Sequence, residues 1–296
     1  MKKVSNVDVI YEFSRGNKPV VAIEPGERVV FDTQDALGGQ IQSEEDTMGG
    51  IDFSKVNPAT GPVYVKTASP GDALVIQVEE ISLGQKGIML AVPGLGILGD
   101  KVRVSTTKIV PVVEGKVMFS SNIVLAVSPM IGVIGVAPAS GAASCGTPGD
   151  HGGNMDTRDI RQGVKLFLPV FVEGGLLAIG DVHAAMADGE TCGTGVEITA
   201  SVKVVVDVIK RLPLKRPIVE TGESFIFIGS AENLEKAVRI AVEDASRALS
   251  KSLKIPFEEA YMLLSLVGSV KVSQMVDPAR TARVEISKDI LKELMI

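Results

Sequence analysis

Short runs of valine and isoleucine, cut by Gly, Pro and Asp turns, organise the first two thirds of the chain. Val20-Val21-Ala22-Ile23, Arg28-Val29-Val30-Phe31, Val63-Tyr64-Val65, Ala73 to Val78 and Met130 to Val136 are each short and β-branched, as strands are. Glu24-Pro25-Gly26-Glu27 and Ser69-Pro70-Gly71-Asp72 are the turns that feed two of them. Further strands are predicted at Val164 to Leu168, Leu176 to Ile179 and Val196 to Ile209. In the last run Val196, Ile198, Ala200, Val202 and Val204 alternate, which places them on one buried face.

The period changes in the final third. Ser230-Ala231-Glu232 reads as a helix start, with Ser230 as N-cap and an acid in the first turn. Leu234, Ala237, Val238, Ala241, Ala245, Ala248 and Leu249 then form one apolar stripe. Pro256 opens a second helix through Leu264, Val267 to Met275 reads as a strand, and Ser287 to Met295 as a short terminal helix. Strands first and helices late give a β-dominated α+β class: a β-barrel or β-sandwich core with a small C-terminal α/β portion. The division expected is a β-rich catalytic core over 1–215, of one or two β subdomains, with a smaller α/β region over 216–296 packed on it.

Composition narrows the partners. Trp is absent, aromatics are 4% and the net charge is −6, so neither base stacking nor phosphate-backbone attraction is served, and nucleic acid is excluded. Asp8 and Glu12 follow the start where a signal peptide would be apolar. Runs such as Ile123 to Val127 and Val204 to Ile209 fall far short of the roughly 20 residues of a membrane span. A cytoplasmic protein is expected, with Cys145 and Cys192 as free thiols.

The chain has only two histidines, each in a Gly/Asp-rich run: Gly149-Asp150-His151-Gly152-Gly153-Asn154-Met155-Asp156, and Gly180-Asp181-Val182-His183 leading to Asp188-Gly189-Glu190. On an extended backbone Asp181 and His183 point to one side, which is half of a metal site. An Asp, a His and a Glu suit Zn²⁺ or another divalent transition ion. His151, Asp181 and His183 as ligands leave room for a water, and Glu190 is placed to take and return its proton. A metal-free alternative has Glu190 or Asp181 activating water directly, with the Gly152-Gly153 amides holding the oxyanion. A non-catalytic metal- or sugar-binding β-protein would use the same loops; calcium is disfavoured because it has little use for histidine. Asp32 and Asp35 lie beside a strand end and are candidates to reach the site, whereas Glu44-Glu45-Asp46 reads as a solvated loop. No Gly-x-Ser-x-Gly elbow and no Walker motif occurs. The Cys145–His151 and His183–Cys192 spacings are not those of zinc fingers.

Several phrases, in order along most of the chain, resemble the acetamidase/formamidase family. They are Asn57-Pro58-Ala59-Thr60-Gly61-Pro62-Val63, His151-Gly152-Gly153-Asn154-Met155-Asp156, Leu168 to Leu176, Gly180-Asp181-Val182-His183-Ala184, Asp188-Gly189-Glu190 and Ser273-Gln274-Met275-Val276-Asp277. Met186-Ala187 departs from the Gln-Gly that related sequences often carry, and the shorter chain is similar to the compact acetamidase-like branch. The resemblance implies hydrolysis of a small aliphatic amide to ammonia and a carboxylate by a β-rich homo-oligomer, with a dimer expected. On that reading His151, Asp181 and His183 hold a divalent metal, zinc first among the candidates. Glu190 is general base and then acid, Asn154 and Asp156 position, and Asp35 and Asp188 are auxiliary.

Overall fold

The valine-rich runs pair into two large sheets in the computed structural model, which describes residues 1–294. Among these residues one sheet has nine strands and the other eleven, and neither closes into a barrel, so the core is built by packed sheets. Inside the first, the strand Ala200–Ile209 runs antiparallel to both Glu27–Thr33 and Ala73–Leu83. Val196, Ile198, Ala200, Val202 and Val204 are all buried, but not on one strand face, because the chain crosses between sheets at Thr199. Val196 and Ile198 pack with Val110 and Val117 beside the second sheet, while Ala200, Val202 and Val204 of Ala200–Ile209 point into the main core. With Val29, Phe31, Leu74, Ile76, Ile131, Ile134 and Val182 the inward side chains of this strand form the main core, each worth about 1.5–3 kcal/mol when removed from water.

The centre of the second sheet carries the chemistry. Leu177–His183 lies between Met130–Gly135, Ala59–Val65 and the two-residue strand Glu197–Ile198. All seven of its residues are buried, which explains why it reads as a continuous apolar run broken only by Gly180, Asp181 and His183.

Helix α1 (Leu234–Leu253) and helix α2 (Phe257–Val267) cover the C-terminal strands Ser224–Ala231, Gly268–Gln274 and Arg280–Ser287. Ala241, Ala245, Ala248 and Leu249 of the predicted stripe face Phe227, Val284 and Ile286. Ser230 is not the N-cap. It and Ala231 end the preceding strand, paired with Thr281 and Arg280, and Asn233 caps the helix by accepting from the Lys236 amide at 2.9 Å. Pairing across the sheet supplies partners for the Ser230 and Ala231 backbone that a local capping signal does not anticipate. The expected terminal helix also gives way: Ser287 closes the last strand and a single turn follows, with Leu291 buried in the helix-side core. Met295 lies outside the described residues.

The first sheet continues without a break into the C-terminal segment. Ile218–Glu220 pairs with Lys165–Pro169 on one side and with Ser224–Ala231 on the other. Both cysteines are free thiols; Cys145 is buried in apolar surroundings, and that burial pushes its thiol up to about 12. No helix of the described residues is long and apolar enough to cross a membrane.

Candidate active site

Strand register brings the second histidine against a cluster of acids. His183 pairs with Met130 on one side and with Glu197 on the other. Its Nε2 lies 3.1 Å from Asp181 Oδ1, 3.1 Å from Glu197 Oε2 and 3.8 Å from Asp156 Oδ1. Glu190 closes a second group: His183, Glu190 and Glu197 each place a ligand atom within 4.8 Å of the others. Asp277 reaches in from the C-terminal segment, where its Oδ2 accepts from Asn154 Nδ2 at 2.9 Å. Gln274 builds that approach, since its Oε1 accepts from the amides of Val276 and Asp277.

The backbone is strained where these carboxylates leave it. Asp156, Asp181 and Glu190 all have left-handed φ, at 41°, 49° and 46°. Such positions cost of order 1–3 kcal/mol each and persist only where the surroundings enforce them. Asp181 therefore reaches His183 from a kinked strand rather than from the extended one that simple alternation assumes.

Space under the cluster is supplied by Gly132. An ideal Cβ at this residue would lie 2.4 Å from Asp156 Oδ1, 2.6 Å from Asp181 Oδ2 and 2.8 Å from the Asp181 carbonyl oxygen. Gly195 does the same for the histidine, with Nδ1 of His183 2.5 Å from its ideal Cβ position. The Gly195 amide also donates to Glu197 Oε1 at 2.7 Å, which orients that carboxylate towards the ring.

Five acids around one imidazole cannot all be anionic. Like charges about 4 Å apart repel by about 4 kcal/mol even at an effective dielectric of about 20. Burial, followed by the charge of Asp181, holds Asp156 well above the ordinary carboxylate range, and burial with the charge of Asp156 does the same to Glu190. Burial pushes Glu197 up to about 8, and burial with the charge of Asp181 pushes Asp277 up to about 8. Asp181 goes the other way: burial opposes its charge, but the ring of His183 and its hydrogen bond hold the carboxyl low. Burial likewise opposes a charged His183, yet Glu197 and Asp181 outweigh it and raise the ring well above its usual value. The metal-free cluster thus centres on a His183–Asp181 ion pair, and the carboxyls around it hold protons more tightly than ordinary carboxylates.

These shifts set a pH dependence. Acids with raised folded-state values, and a histidine likewise raised, keep protons that the unfolded chain releases, so stability falls as pH rises. The lowered Asp181 acts in the opposite sense only as pH falls below the ordinary carboxylate range. The lowered His151 opposes as one group against several between about pH 4 and its ordinary value of 6.5. The metal-free protein should lose melting temperature steadily from about pH 5 to about pH 8. Glu197→Gln should flatten that slope; a melting temperature level across the window would contradict the electrostatics described here.

The donor set fits a divalent cation. Both Asp156 oxygens, Glu197 Oε2 and Asn154 Oδ1 are buried without a hydrogen-bond partner. A cation would replace the protons that the crowded carboxyls otherwise need. The open space beside them is about 150 Å³, walled by Leu37, Met48, Phe53, Leu90 and Leu95.

Of the residues singled out in the sequence, Asn154, Asp156, Asp181, His183 and Glu190 come together. His151 is not brought to them. Its carbonyl accepts from Val136, six residues along the strand from Met130, where His183 pairs. Asp156 and Asp181, by contrast, lie against Gly132 further along that strand, and His151 belongs to neither group of possible ligands. His151 packs edge-on against Phe13 at 5.2 Å, and burial pushes its ring down to about 4. Asp35 holds the adjoining wall instead of entering the pocket: its Oδ1 accepts from the amides of Leu37 and Gly39. Asp188 accepts from Arg283 Nη2 at 2.7 Å and borders a separate cavity of about 420 Å³ on the far side of Glu190.

Glu197 and Asp277 are the site residues that sequence reasoning passed over. Glu197 falls between apolar residues in a strand, where an acid reads as solvent-facing. Asp277 ends the phrase Ser273-Gln274-Met275-Val276-Asp277, noted only as part of the family resemblance.

Comparison with known proteins places the fold and the family. The family model described as Acetamidase/Formamidase family matches residues 15–145 and 139–293. The fold is similar to that of an acetamidase from Bacillus halodurans, with a TM-score of 0.97 and 42% identity over 99% of this chain and 100% of the other. It is similar, at TM-score 0.96 and 44% identity over 98% and 97% of the two chains, to a predicted acetamidase/formamidase from Thermoanaerobacter tengcongensis. A formamidase of Methylophilus methylotrophus is 24% identical over 265 residues, covering 68% of this chain. The chain spans 65% of the length of that curated relative.

Proposed function

Because the chain belongs to the acetamidase/formamidase family, we propose that it hydrolyses a small aliphatic amide, of the acetamide or formamide class, to ammonia and the carboxylate. The observation that carries this reading is the buried carboxylate–histidine pocket and its size. The open space of about 150 Å³ beside the carboxyls leaves room for a small aliphatic amide. The apolar wall of Leu37, Leu90 and Leu95 suits a short alkyl group, and the carboxyls suit the amide N–H groups.

Asp156, Asp181, His183 and Glu197 are the residues that would hold a divalent ion, with zinc the first candidate. When bound, such an ion supplies a Lewis acid and lowers the pKa of water to about 7. Glu190 lies against this group, and its raised affinity for protons suits a residue that accepts a proton from water near neutral pH. The new C–O bond forms as that proton reaches Glu190; the C–N bond then breaks as Glu190 passes the proton to the departing nitrogen. Asn154, held by Asp277, orients the substrate beside Glu190. The proposal also takes the protein to be a cytoplasmic homodimer, which light scattering coupled to size exclusion would test.

The decisive measurement is metal content per chain together with ammonia release from formamide and acetamide, before and after chelation. Glu190→Gln should keep the metal and lose about 10²–10⁴-fold in kcat. Wild-type protein that releases no ammonia from either amide when metal-loaded would sink the proposed activity. A fully active Glu190→Gln would remove Glu190 from the proton path.

A further inference from the structure

A third cavity, of about 480 Å³, lies on the helix-covered side of the first sheet and shares no lining residue with the carboxylate pocket. Its floor is apolar and buried: Leu214, Ile218, Phe227 and Ala248 belong to the core under α1. Its rim is cationic, with Lys215, Arg216, Arg247 and Lys251 against the single carboxylate of Asp244. That sign is the reverse of the chain as a whole, whose net charge is −6.

Only part of the positive charge is used internally. Arg216 bridges Asp150 at 3.0 Å and Asp244 at 2.8 Å, and Arg247 meets Glu243 at 2.8 Å. Lys215 and Lys251 form no salt bridge within 4 Å among the described residues, although the charge of Lys215 helps to lower the Glu243 carboxyl. Phe257 stands at the mouth, 39% exposed, and is held in place from two sides. The Arg247 guanidinium lies 5.5 Å from its ring centroid, and the Tyr261 ring stacks on it at 6.3 Å with 10° between planes.

We propose that this cavity binds an amphipathic organic anion. An acidic head of carboxylate or phosphate type pairs with Lys215 and Lys251. An apolar body covers Leu214, Ile218, Phe227 and Ala248 beside the ring of Phe257. An inorganic anion alone would leave that floor wet, and a neutral hydrocarbon would leave the two lysines unanswered. The volume lies within the range of small-molecule sites and is about three times that of the carboxylate pocket. The ligand is therefore larger than the small amides proposed above, and the site stands whether or not that activity does.

The test uses 8-anilinonaphthalene-1-sulfonate as the probe and N-phenyl-1-naphthylamine, the same skeleton without the sulfonate, as its control. Calorimetry on the full chain should show saturable sulfonate binding at one site, about tenfold tighter than the uncharged analogue. The Lys215→Glu, Lys251→Glu pair should weaken the sulfonate about tenfold and leave the analogue within about twofold. Ser250→Trp, which puts a bulky ring into the lining and gives up the Ser250 Oγ hydrogen bond to the Ile255 carbonyl, should abolish both while the far-UV circular dichroism spectrum stays that of the wild type. Ammonia release should be the same in all three proteins, because none of these residues touches the carboxylate pocket. Absence of saturable binding, or sulfonate binding indifferent to the double charge reversal, would overturn the proposal.

Discussion

Gly132→Ala should abolish most of the activity with a single added methyl group. Gly132 lies in the strand Met130–Gly135, and an ideal Cβ there would sit 2.4 Å from Asp156 Oδ1 and 2.6 Å from Asp181 Oδ2. Side chains can swing aside, but the Asp181 carbonyl oxygen at 2.8 Å is part of the central strand of the sheet and has nowhere to go. Both carboxylates must therefore move, and they are two of the groups that crowd His183. A displacement of about 1 Å in a reacting constellation costs about 10²-fold in rate. Overpacking adds about 1–3 kcal/mol of destabilisation. The expected result is at least a hundredfold fall in kcat with reduced metal retention, read by ammonia release and elemental analysis. Gly222→Ala, with open space at its Cβ, is the control that should change nothing. Wild-type rate and metal content in Gly132→Ala would mean that Asp156 and Asp181 do not act from the positions seen.

Arg283→Ala should cost about 3–5 kcal/mol of stability, as removal of one partner from a buried ion-pair group does. Arg283 is 1% exposed and pairs with Asp159 at 2.5 Å and with Asp188 at 2.7 Å. It also donates to the Val272 carbonyl and to Ser273 Oγ. It therefore ties the Asp188-Gly189-Glu190 turn to the strand Gly268–Gln274. The backbone of that turn joins the same strand end, since the Gly189 amide donates to the Ser273 carbonyl and the Met275 amide to the Gly189 carbonyl. Losing the guanidinium leaves Asp159 without its buried partner and opens a cavity; Asp188, about a third exposed, recovers part of its solvation. Arg283→Lys keeps the charge but not the planar fork, and should fall between the two. Asp159→Asn should recover part of the loss in the Arg283→Ala background. Urea unfolding at constant slope measures all three. A loss below about 1 kcal/mol for Arg283→Ala would show that the pairs are not structural.

Much of the site was legible in the residues themselves. Confining both histidines to Gly/Asp-rich runs pointed to Asp181, His183, Glu190, Asn154 and Asp156, and these five meet. The same reasoning selected His151, because local composition does not distinguish a residue beside Gly135–Val136 from one beside Met130 on the same strand. Glu197 was hidden for the converse reason. Alternation sends it away from Ile198 and Ala200, and only the pairing of Glu197 with His183 shows that the other face of that strand is also buried.

What the sequence determined by itself is what periodicity and turn chemistry report. These are part of the strands of both sheets, the alanine stripe of α1, the proline start of α2 and the residues fit for acid–base and metal chemistry. The strands Lys86–Ala91, Thr106–Val113, Ser224–Ala231 and Arg280–Ser287 were not among those predicted. The tertiary structure decided where the backbone of Ser230 and Ala231 finds its hydrogen bonds, which histidine meets the acids, and that Asp277 joins from the far end of the chain. The physical reason is that hydrophobic period acts over neighbouring residues. Sheet register, the left-handed turns at Asp156, Asp181 and Glu190, and the mutual repulsion of buried carboxyls exist only once distant segments are packed together.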